Sequence, residues 1–146
     1  MTRPLHLRAG PILLVAAGGS VGTAARYATA LALPPVGGLP LPTIAVNLVG
    51  TFLLGVLLES LARSGPDDGG RRTARFLLGT GVLGGFTTYS AFSLDTAELL
   101  LAGRVAEAAL AVAITLVLGT SAAVLGILLA HRTARAEPTP AGRAAE

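Results

Sequence analysis

An uncharged segment, residues 76–94, is long enough to cross a bilayer but has a poor helical sequence at its centre. Glycines and threonines lie close together there: Gly81, Gly84, Gly85, Thr87 and Thr88. Glycine loses the most backbone entropy on becoming helical and β-branched threonine is stiff at χ1, so we expect a helix break between residues 84 and 88. Unwound backbone at membrane depth must be satisfied by protein groups or a polar cavity. The break therefore indicates a functional site.

The residues after the break indicate what such a site could bind. If the helix resumes near Tyr89, then Tyr89 and Phe92 lie on one face with Ser93 beside them. Aromatic ring edges are positive and hydroxyl groups donate hydrogen bonds, so this face suits a small anion. The carbonyls freed by the break suit a cation. The alternative is a glycine-rich kink in which both rings are ordinary packing residues.

The whole chain is too apolar for an ordinary soluble domain. Of its 146 residues, 52% are hydrophobic and 13% are charged, and the mean hydropathy is +0.70. Four apolar stretches predict an all-α integral membrane protein with four transmembrane helices, the third of them broken. The predicted spans are residues 11–33, 44–61, 76–102 and 108–130 in one membrane domain of residues 1–132, and residues 133–146 are predicted to be a disordered tail. The first apolar run lacks the clear end of a cleaved signal peptide, so we expect it to remain as the first helix.

Several classes of function have no support in the sequence. Cysteine is absent, and there is no nucleotide-binding loop, histidine and glutamate metal cluster or nucleophile triad. The net charge is +3, but all eleven basic residues are arginines that flank apolar segments, so they indicate membrane topology and not nucleic-acid binding. With almost nothing outside the bilayer, the chain has no room for a catalytic domain. We predict that it is not an enzyme.

Three polar residues within the apolar spans are candidates for a functional role. Arg26, near the end of the first span, is either an interfacial anchor beside Tyr27 or a fixed positive charge that concentrates anions at a pore mouth. Asn47, in the second span, is either an interhelical contact worth about 1 kcal/mol or a pore-lining N–H donor. Thr115 places a hydroxyl in the small-residue stripe of the fourth span.

Features near the helix ends are interpreted as structural. Thr43 follows a proline and glycine turn region and is expected to cap the second helix. Asp95, three residues after Phe92, is expected either to face the same vestibule or to be solvated, as carboxylates at helix ends usually are. The polar connection at residues 59–75 is expected to be a solvated loop.

Three motifs, in order along the chain, resemble those of the Fluc (CrcB) family of fluoride channels. They are Gly18-Gly19-x-x-Gly22-x-x-x-Arg26-Tyr27 in the first span, Val46-Asn47-x-x-Gly50-x-Phe52-x-x-Gly55 in the second, and Gly84-Gly85-Phe86-Thr87-Thr88-Tyr89-Ser90-Ala91-Phe92-Ser93 in the third. The resemblance extends over nearly the whole chain. It implies a passive channel that exports fluoride across the cell membrane, built as an antiparallel dimer of four-helix subunits with two pores along the interface.

The resemblance also implies roles for individual pore residues. Asn47 would donate its amide to fluoride, and Tyr89 and Phe92 would present their ring edges to it. Ser90 would add a pore hydroxyl, and we assign the hydroxyl of Thr115 to the pore as well. Fluoride is small and strongly hydrated, so donors of this kind must replace its water. A full positive charge in the pore would bind it too tightly to let it leave.

A structural Na⁺ at the dimer centre is a further implication, held by the carbonyls of Gly84 and Thr87 from both subunits. Arg26 matches the first-span arginine of the family, either as vestibule charge or as structure. Two positions depart from the family pattern. Tyr89 stands where phenylalanine is usual, which adds a hydroxyl to the pore, and Ala91 replaces a common threonine, which removes a polar group.

The distribution of arginine predicts an orientation in the membrane. With four spans, nine of the eleven arginines share the side of both termini, whereas Arg26 and Arg104 lie on the other side. The positive-inside rule then places both termini in the cytoplasm. An antiparallel homodimer needs insertion in both orientations, so this bias favours pairing with an oppositely oriented homologous subunit. A homodimer stays open if the tail arginines are too far from the membrane to count.

Two rival functions remain at this stage. A proton-coupled small-molecule exporter needs an ionisable carboxylate within the membrane, whereas the acidic residues here lie at or beyond the ends of the spans. A non-conducting assembly subunit would use its glycine-rich faces only for packing. In that case alanine substitution at Asn47 would abolish assembly instead of conduction.

Overall fold

The described part of the chain, residues 9–135 of a computed structural model, is built of helices. They are α1 (Ala9–Ala32), α2 (Leu41–Arg63), α3 (Gly69–Ala74), a π-helical segment (Arg75–Leu83), α4 (Gly84–Phe86), α5 (Tyr89–Leu101) and α6 (Val105–Arg135). The four predicted apolar stretches are helical, apart from a break in the third. The observed helices end close to the predicted ends of the spans or extend beyond them. Helix α6 includes the first residues of the predicted tail, and the rest of that tail, residues 136–146, lies outside the described residues, as does the basic lead before residue 9.

Two of these helices are long and apolar enough to cross a membrane by length and composition, namely Leu41–Arg63 and Val105–Thr133. Helix α1, rich in glycine and alanine, does not meet the same criterion. The third span does not meet it either, because the break divides it into shorter pieces.

Glycines allow the helices to approach one another at backbone distance. Helix α1 packs along the π-helical segment and α4, and a Cβ on Gly22 would clash with the carbonyl oxygen of Val82. Helix α2 packs along α6, where a Cβ on Gly126 would clash with the carbonyl oxygen of Phe52. Packing by small residues suits a membrane, because apolar side chains gain little by leaving lipid for protein. The broken third span therefore packs against α1 and also contacts α2, which in turn packs against α6.

The break in the third span is confirmed, and it lies at Thr87 and Thr88. Both residues are extended, with φ/ψ of −73°/159° and −150°/122°. The sequence did not predict the π-helical segment before them, in which the backbone N–H of Gly84 bonds to the carbonyl of Gly79. Such wide turns occur mostly beside functional sites, and here one leads directly into the unwound residues.

The predicted cap by Thr43 is wrong. Helix α2 begins at Leu41, directly after Pro40, and Pro42 lies in its first turn, where the missing N–H of a proline costs nothing. Thr43 therefore lies inside the helix, buried, and its hydroxyl donates to the carboxylate of Asp95 at 2.6 Å. This bond ties α2 to α5, so Asp95 is a half-buried hydrogen-bond acceptor and not a solvated helix-end carboxylate.

The turn between α5 and α6 is held by an arginine. Arg104 donates to the carboxylate of Glu107 at 3.2 Å and to the carbonyl of Gly37 at 3.4 Å. A backbone hydrogen bond and the Arg104 side chain together lower the pKa of Glu107. Arg104 thus joins the α1–α2 connection to the start of α6 at one end of the bundle.

Candidate functional site

The amide of Asn47 is bonded to the backbone of the break. Its oxygen accepts from the N–H of Thr88 at 2.8 Å, and its nitrogen donates to the carbonyl of Thr88 at 3.0 Å. Both backbone groups of this extended residue are thereby satisfied by one side chain from α2. An amide nitrogen carries two N–H groups, so one remains for another acceptor.

The break releases the carbonyls of residues 84–87 from helical hydrogen bonding, and the lost donors of two of them are bonded elsewhere. The N–H of Thr88, which would bond to the carbonyl of Gly84 in a continuous helix, donates to Asn47 instead. The N–H of Ala91, which would bond to the carbonyl of Thr87, donates to the hydroxyl of Thr88 at 3.1 Å and so caps α5. These two carbonyls belong to the residues predicted to bind Na⁺. Carbonyl oxygens of unwound backbone suit such an ion, so the donor set fits.

Four of the predicted pore residues line one cleft of about 460 Å³, between α2, α6 and the break: Asn47, Tyr89, Phe92 and Thr115. Thr87 lines it as well, whereas Ser90 does not. Ser90 is exposed, and its hydroxyl lies 3.3 Å from that of Thr88. The structure thus brings four of the five residues predicted for the pore to one cleft and leaves Ser90 outside it.

The two aromatic rings are neighbours at the mouth of the cleft. The ring centroids of Tyr89 and Phe92 are 6.2 Å apart and the planes are tilted by 45°. The side of Tyr89 that is not turned to Phe92 is open, since 82% of the residue is exposed in the single chain. Tilted rings can direct positive edges towards the same space, which suits an anion between them.

Three further residues with hydroxyl groups line the cleft and were not predicted as site residues: Thr51, Thr88 and Thr120. The hydroxyl of Thr51 donates to the carbonyls of Leu48 at 3.0 Å and Gly119 at 3.2 Å, which joins α2 to α6 beneath the cleft. A signal for Thr51 was present in the sequence, because it lies on the same helical face as Asn47. The hydroxyl of Thr115 donates within its own helix, to Ala111 at 2.8 Å.

Arg26 lies outside this cleft. It lines a second, smaller cavity of about 220 Å³ between α1, α2 and the start of α5. Its Nε donates to the carbonyl of Gly85 at 3.2 Å, and the hydroxyl of Thr23 lies 3.5 Å from the same oxygen. The arginine therefore contacts the broken span from α1, whereas Asn47 contacts it from α2.

Helical spans, a break and a cleft that no charged residue of the described chain lines define a small membrane protein of the transport class. The chain belongs to the CrcB family: the family model described as "CrcB-like protein, Camphor Resistance (CrcB)" matches residues 13–127. This match takes in all three motifs and the whole of the cleft.

Curated relatives align along most of their own length. A fluoride-specific ion channel FluC 2 of Leifsonia xyli subsp. xyli is 49% identical over 126 residues, which cover 86% of this chain and 87% of the relative. A fluoride-specific ion channel FluC of Novosphingobium aromaticivorans is 48% identical over 118 residues, covering 77% and 90%. The relative of the same name from Caulobacter vibrioides is 43% identical over 123 residues, covering 83% and 95%.

The bonds from Asn47 to Thr88 predict a structural effect of removing the amide. In Asn47→Ala, the N–H and carbonyl of Thr88 lose their partners, at about 1–3 kcal/mol for each buried group. We expect a lower unfolding temperature in detergent and faster hydrogen–deuterium exchange in residues 84–92. Ser121→Ala is the control, because the Ser121 hydroxyl is exposed and bonds only to its own helix, at Val117. Unchanged stability and exchange in Asn47→Ala would contradict this role.

Proposed function

We propose that this chain is a subunit of a passive, fluoride-selective channel that exports cytoplasmic fluoride. The observation that carries the proposal is the meeting of Asn47, Tyr89 and Phe92 in one cleft, which has no charged lining residue among residues 9–135. Relatives named fluoride-specific ion channels are 43–49% identical to this chain over 77–86% of its length. The activity is movement of an ion and requires no covalent chemistry.

The cleft offers weak donors in place of the water around fluoride. The second N–H of Asn47 and the ring edges of Tyr89 and Phe92 can face the ion. No guanidinium or ammonium group from the part of the chain that the structure describes lines the cleft to hold it. HF that enters an acidified cell dissociates in the neutral cytoplasm, and the trapped anion leaves down its electrochemical gradient. The Tyr89 hydroxyl adds a group that can donate to fluoride or narrow its path.

Fluoride efflux from liposomes tests this function. Purified protein in K⁺-loaded liposomes should release fluoride when valinomycin is added, and should not release chloride. Phe92→Ile keeps an apolar side chain but removes the ring edge, so we expect efflux to fall at least about tenfold, or ~1.4 kcal/mol. Phe76→Leu, on the π-helical segment away from the cleft, is the control.

The contrary outcomes separate the rivals. Absence of efflux from folded protein, with no recovery on adding an oppositely oriented homologue, would favour the non-conducting assembly subunit. Efflux that requires a proton gradient would favour the exporter. Equal efflux from Phe92→Ile and the wild type would contradict a role for the Phe92 ring in the pore.

The working unit that we propose is an antiparallel dimer of four-span subunits. In the single chain the cleft is open on one side and Tyr89 is largely exposed. The second N–H of Asn47 is costly to leave against lipid, where it finds no acceptor. A second subunit laid over the cleft would enclose the path and complete it.

A structural Na⁺ shared by the two subunits is part of the same proposal. The carbonyls of Gly84 and Thr87 would hold it, since each has lost its helical donor at the break. One subunit offers two such carbonyls, so a second copy would be needed to complete an oxygen cage. The ion would join the two breaks and fix the ends of the broken helices.

Removal of Na⁺ should therefore weaken the folded dimer. We expect the unfolding temperature in detergent to rise as Na⁺ replaces N-methylglucamine, because an ion that binds only the folded state stabilises it. Cs⁺, which is larger, is the control for ionic strength. Equal unfolding temperatures in all three salts would contradict the site.

We also propose that both termini face the cytoplasm in most copies of this chain. The four spans put nine arginines on that side and Arg26 and Arg104 on the other. Arg104 is moreover paired with Glu107 at the turn between α5 and α6. The bias favours a partner that inserts in the opposite orientation.

Reporter fusions to the C-terminus measure this orientation directly. A reporter that is active only in the cytoplasm should give most of the signal, and one active only outside should give little. Arg71→Gln combined with Arg72→Gln should shift the balance outward, since it removes charges close to the start of the third span. Comparable populations on both sides for the wild-type chain would support a homodimer instead.

A further inference from the structure

The carbonyl of Gly85 is also released by the break, and it accepts hydrogen bonds from side chains of α1. In a continuous helix it would accept from the N–H of Tyr89, but Thr87 and Thr88 are extended and the helix ends at Phe86. The Nε of Arg26 donates to it at 3.2 Å, and the Thr23 hydroxyl lies at 3.5 Å. A hydrogen bond from a charged donor is stronger than a neutral one, so Arg26 is the main partner.

Close backbone packing brings Arg26 to this carbonyl. A Cβ on Gly85 would crowd the backbone of Gly19, and a Cβ on Gly22 would clash with the Val82 carbonyl oxygen. Arg26 follows Gly22 by about one helical turn on the same face of α1. The glycine contacts thus fix how far the side chain lies from the break.

The surroundings of Arg26 fit a hydrogen-bonding role. Within residues 9–135, no carboxylate lies within salt-bridge distance of its guanidinium, and the residue is half-buried. Its bond removes Gly85 from the set of free carbonyls. The carbonyls of Gly84 and Thr87, on either side along the chain, are left without a helical donor.

We propose that Arg26 is a positioning residue for fluoride conduction: it holds the broken span in its unwound form through the Gly85 carbonyl, and this bond, not the charge, is what conduction requires. The proposal rests on the proposed channel function for its flux readout. Arg26 from α1 and Asn47 from α2 then hold the same break, at Gly85 and at Thr88.

Two uncharged variants separate the bond from the charge. In Arg26→Gln the amide nitrogen stands the same number of bonds from the backbone as the arginine Nε, so the donor is kept and the charge is lost. In Arg26→Met both are lost in a side chain of similar reach. We expect fluoride efflux within about threefold of wild type for the glutamine variant, and at least about tenfold lower for the methionine variant.

Hydrogen–deuterium exchange supplies a readout that does not depend on flux. Arg26→Met should speed exchange in residues 84–92 while exchange within α6 stays as in wild type, and Arg26→Gln should leave both unchanged. A general loss of stability would raise exchange in both places. If the wild type conducts no fluoride, the channel function fails, and the exchange comparison still tests the bond.

The proposal is overturned if the glutamine and methionine variants lose efflux equally while Arg26→Lys conducts normally and low salt enhances its flux. That pattern would assign Arg26 to the electrostatic field at the pore mouth. If Arg26→Met does not yield folded protein, Arg26→Gln decides alone: folded protein with efflux lowered more than about tenfold overturns the proposal.

Discussion

Two hydrogen bonds between the amide of Asn47 and the backbone of Thr88 hold the broken span to α2. Without them, an extended residue inside an apolar bundle would carry an unpaired N–H and an unpaired carbonyl. In a low-dielectric setting each such group costs several kcal/mol when nothing satisfies it. A side chain that both donates and accepts at matching spacing removes both penalties at once, and an amide is the side chain suited to this.

The other consequences of the break follow from where its displaced hydrogen bonds go. The Ala91 N–H donates to the Thr88 hydroxyl, and this bond caps the start of α5. The start of the helix in turn sets the positions of Tyr89 and Phe92. The Gly85 carbonyl accepts a hydrogen bond from Arg26 of α1. The carbonyls of Gly84 and Thr87 have no helical donor. One local change in backbone direction thus creates an aromatic pair on one side and carbonyl acceptors on the other.

Much of this could be predicted from the sequence, because the signals are local. Consecutive glycines followed by Thr87 and Thr88 are poor helix formers in any surroundings, and the break lies among them. The π-helical segment could not be predicted in this way, since it depends on how Gly81 packs against Gly18 of α1. The bond between Thr43 and Asp95 likewise joins residues 52 positions apart. The local sequence near Pro40 and Pro42 instead predicted that Thr43 caps α2.

Ser90 and Arg26 show where a motif specifies position but not contact. Both match the family pattern in sequence, yet Ser90 does not line the cleft, and Arg26 bonds to a backbone carbonyl. The direction of a side chain near a break depends on the exact dihedral angles of two extended residues. Those angles are settled by long-range contacts that no local pattern encodes.

The two interpretations of Asn47, an interhelical contact and a pore donor, do not exclude each other. The amide uses its oxygen and one N–H on Thr88, and both bonds fix the plane in which the second N–H lies. In the proposed channel this N–H would meet fluoride already oriented, so little reorganisation is needed when the ion arrives. It is also a single uncharged donor, and an ion held by such donors and by ring edges can leave again. The contact that stabilises the break is therefore also what would make Asn47 a rigid but weak ligand.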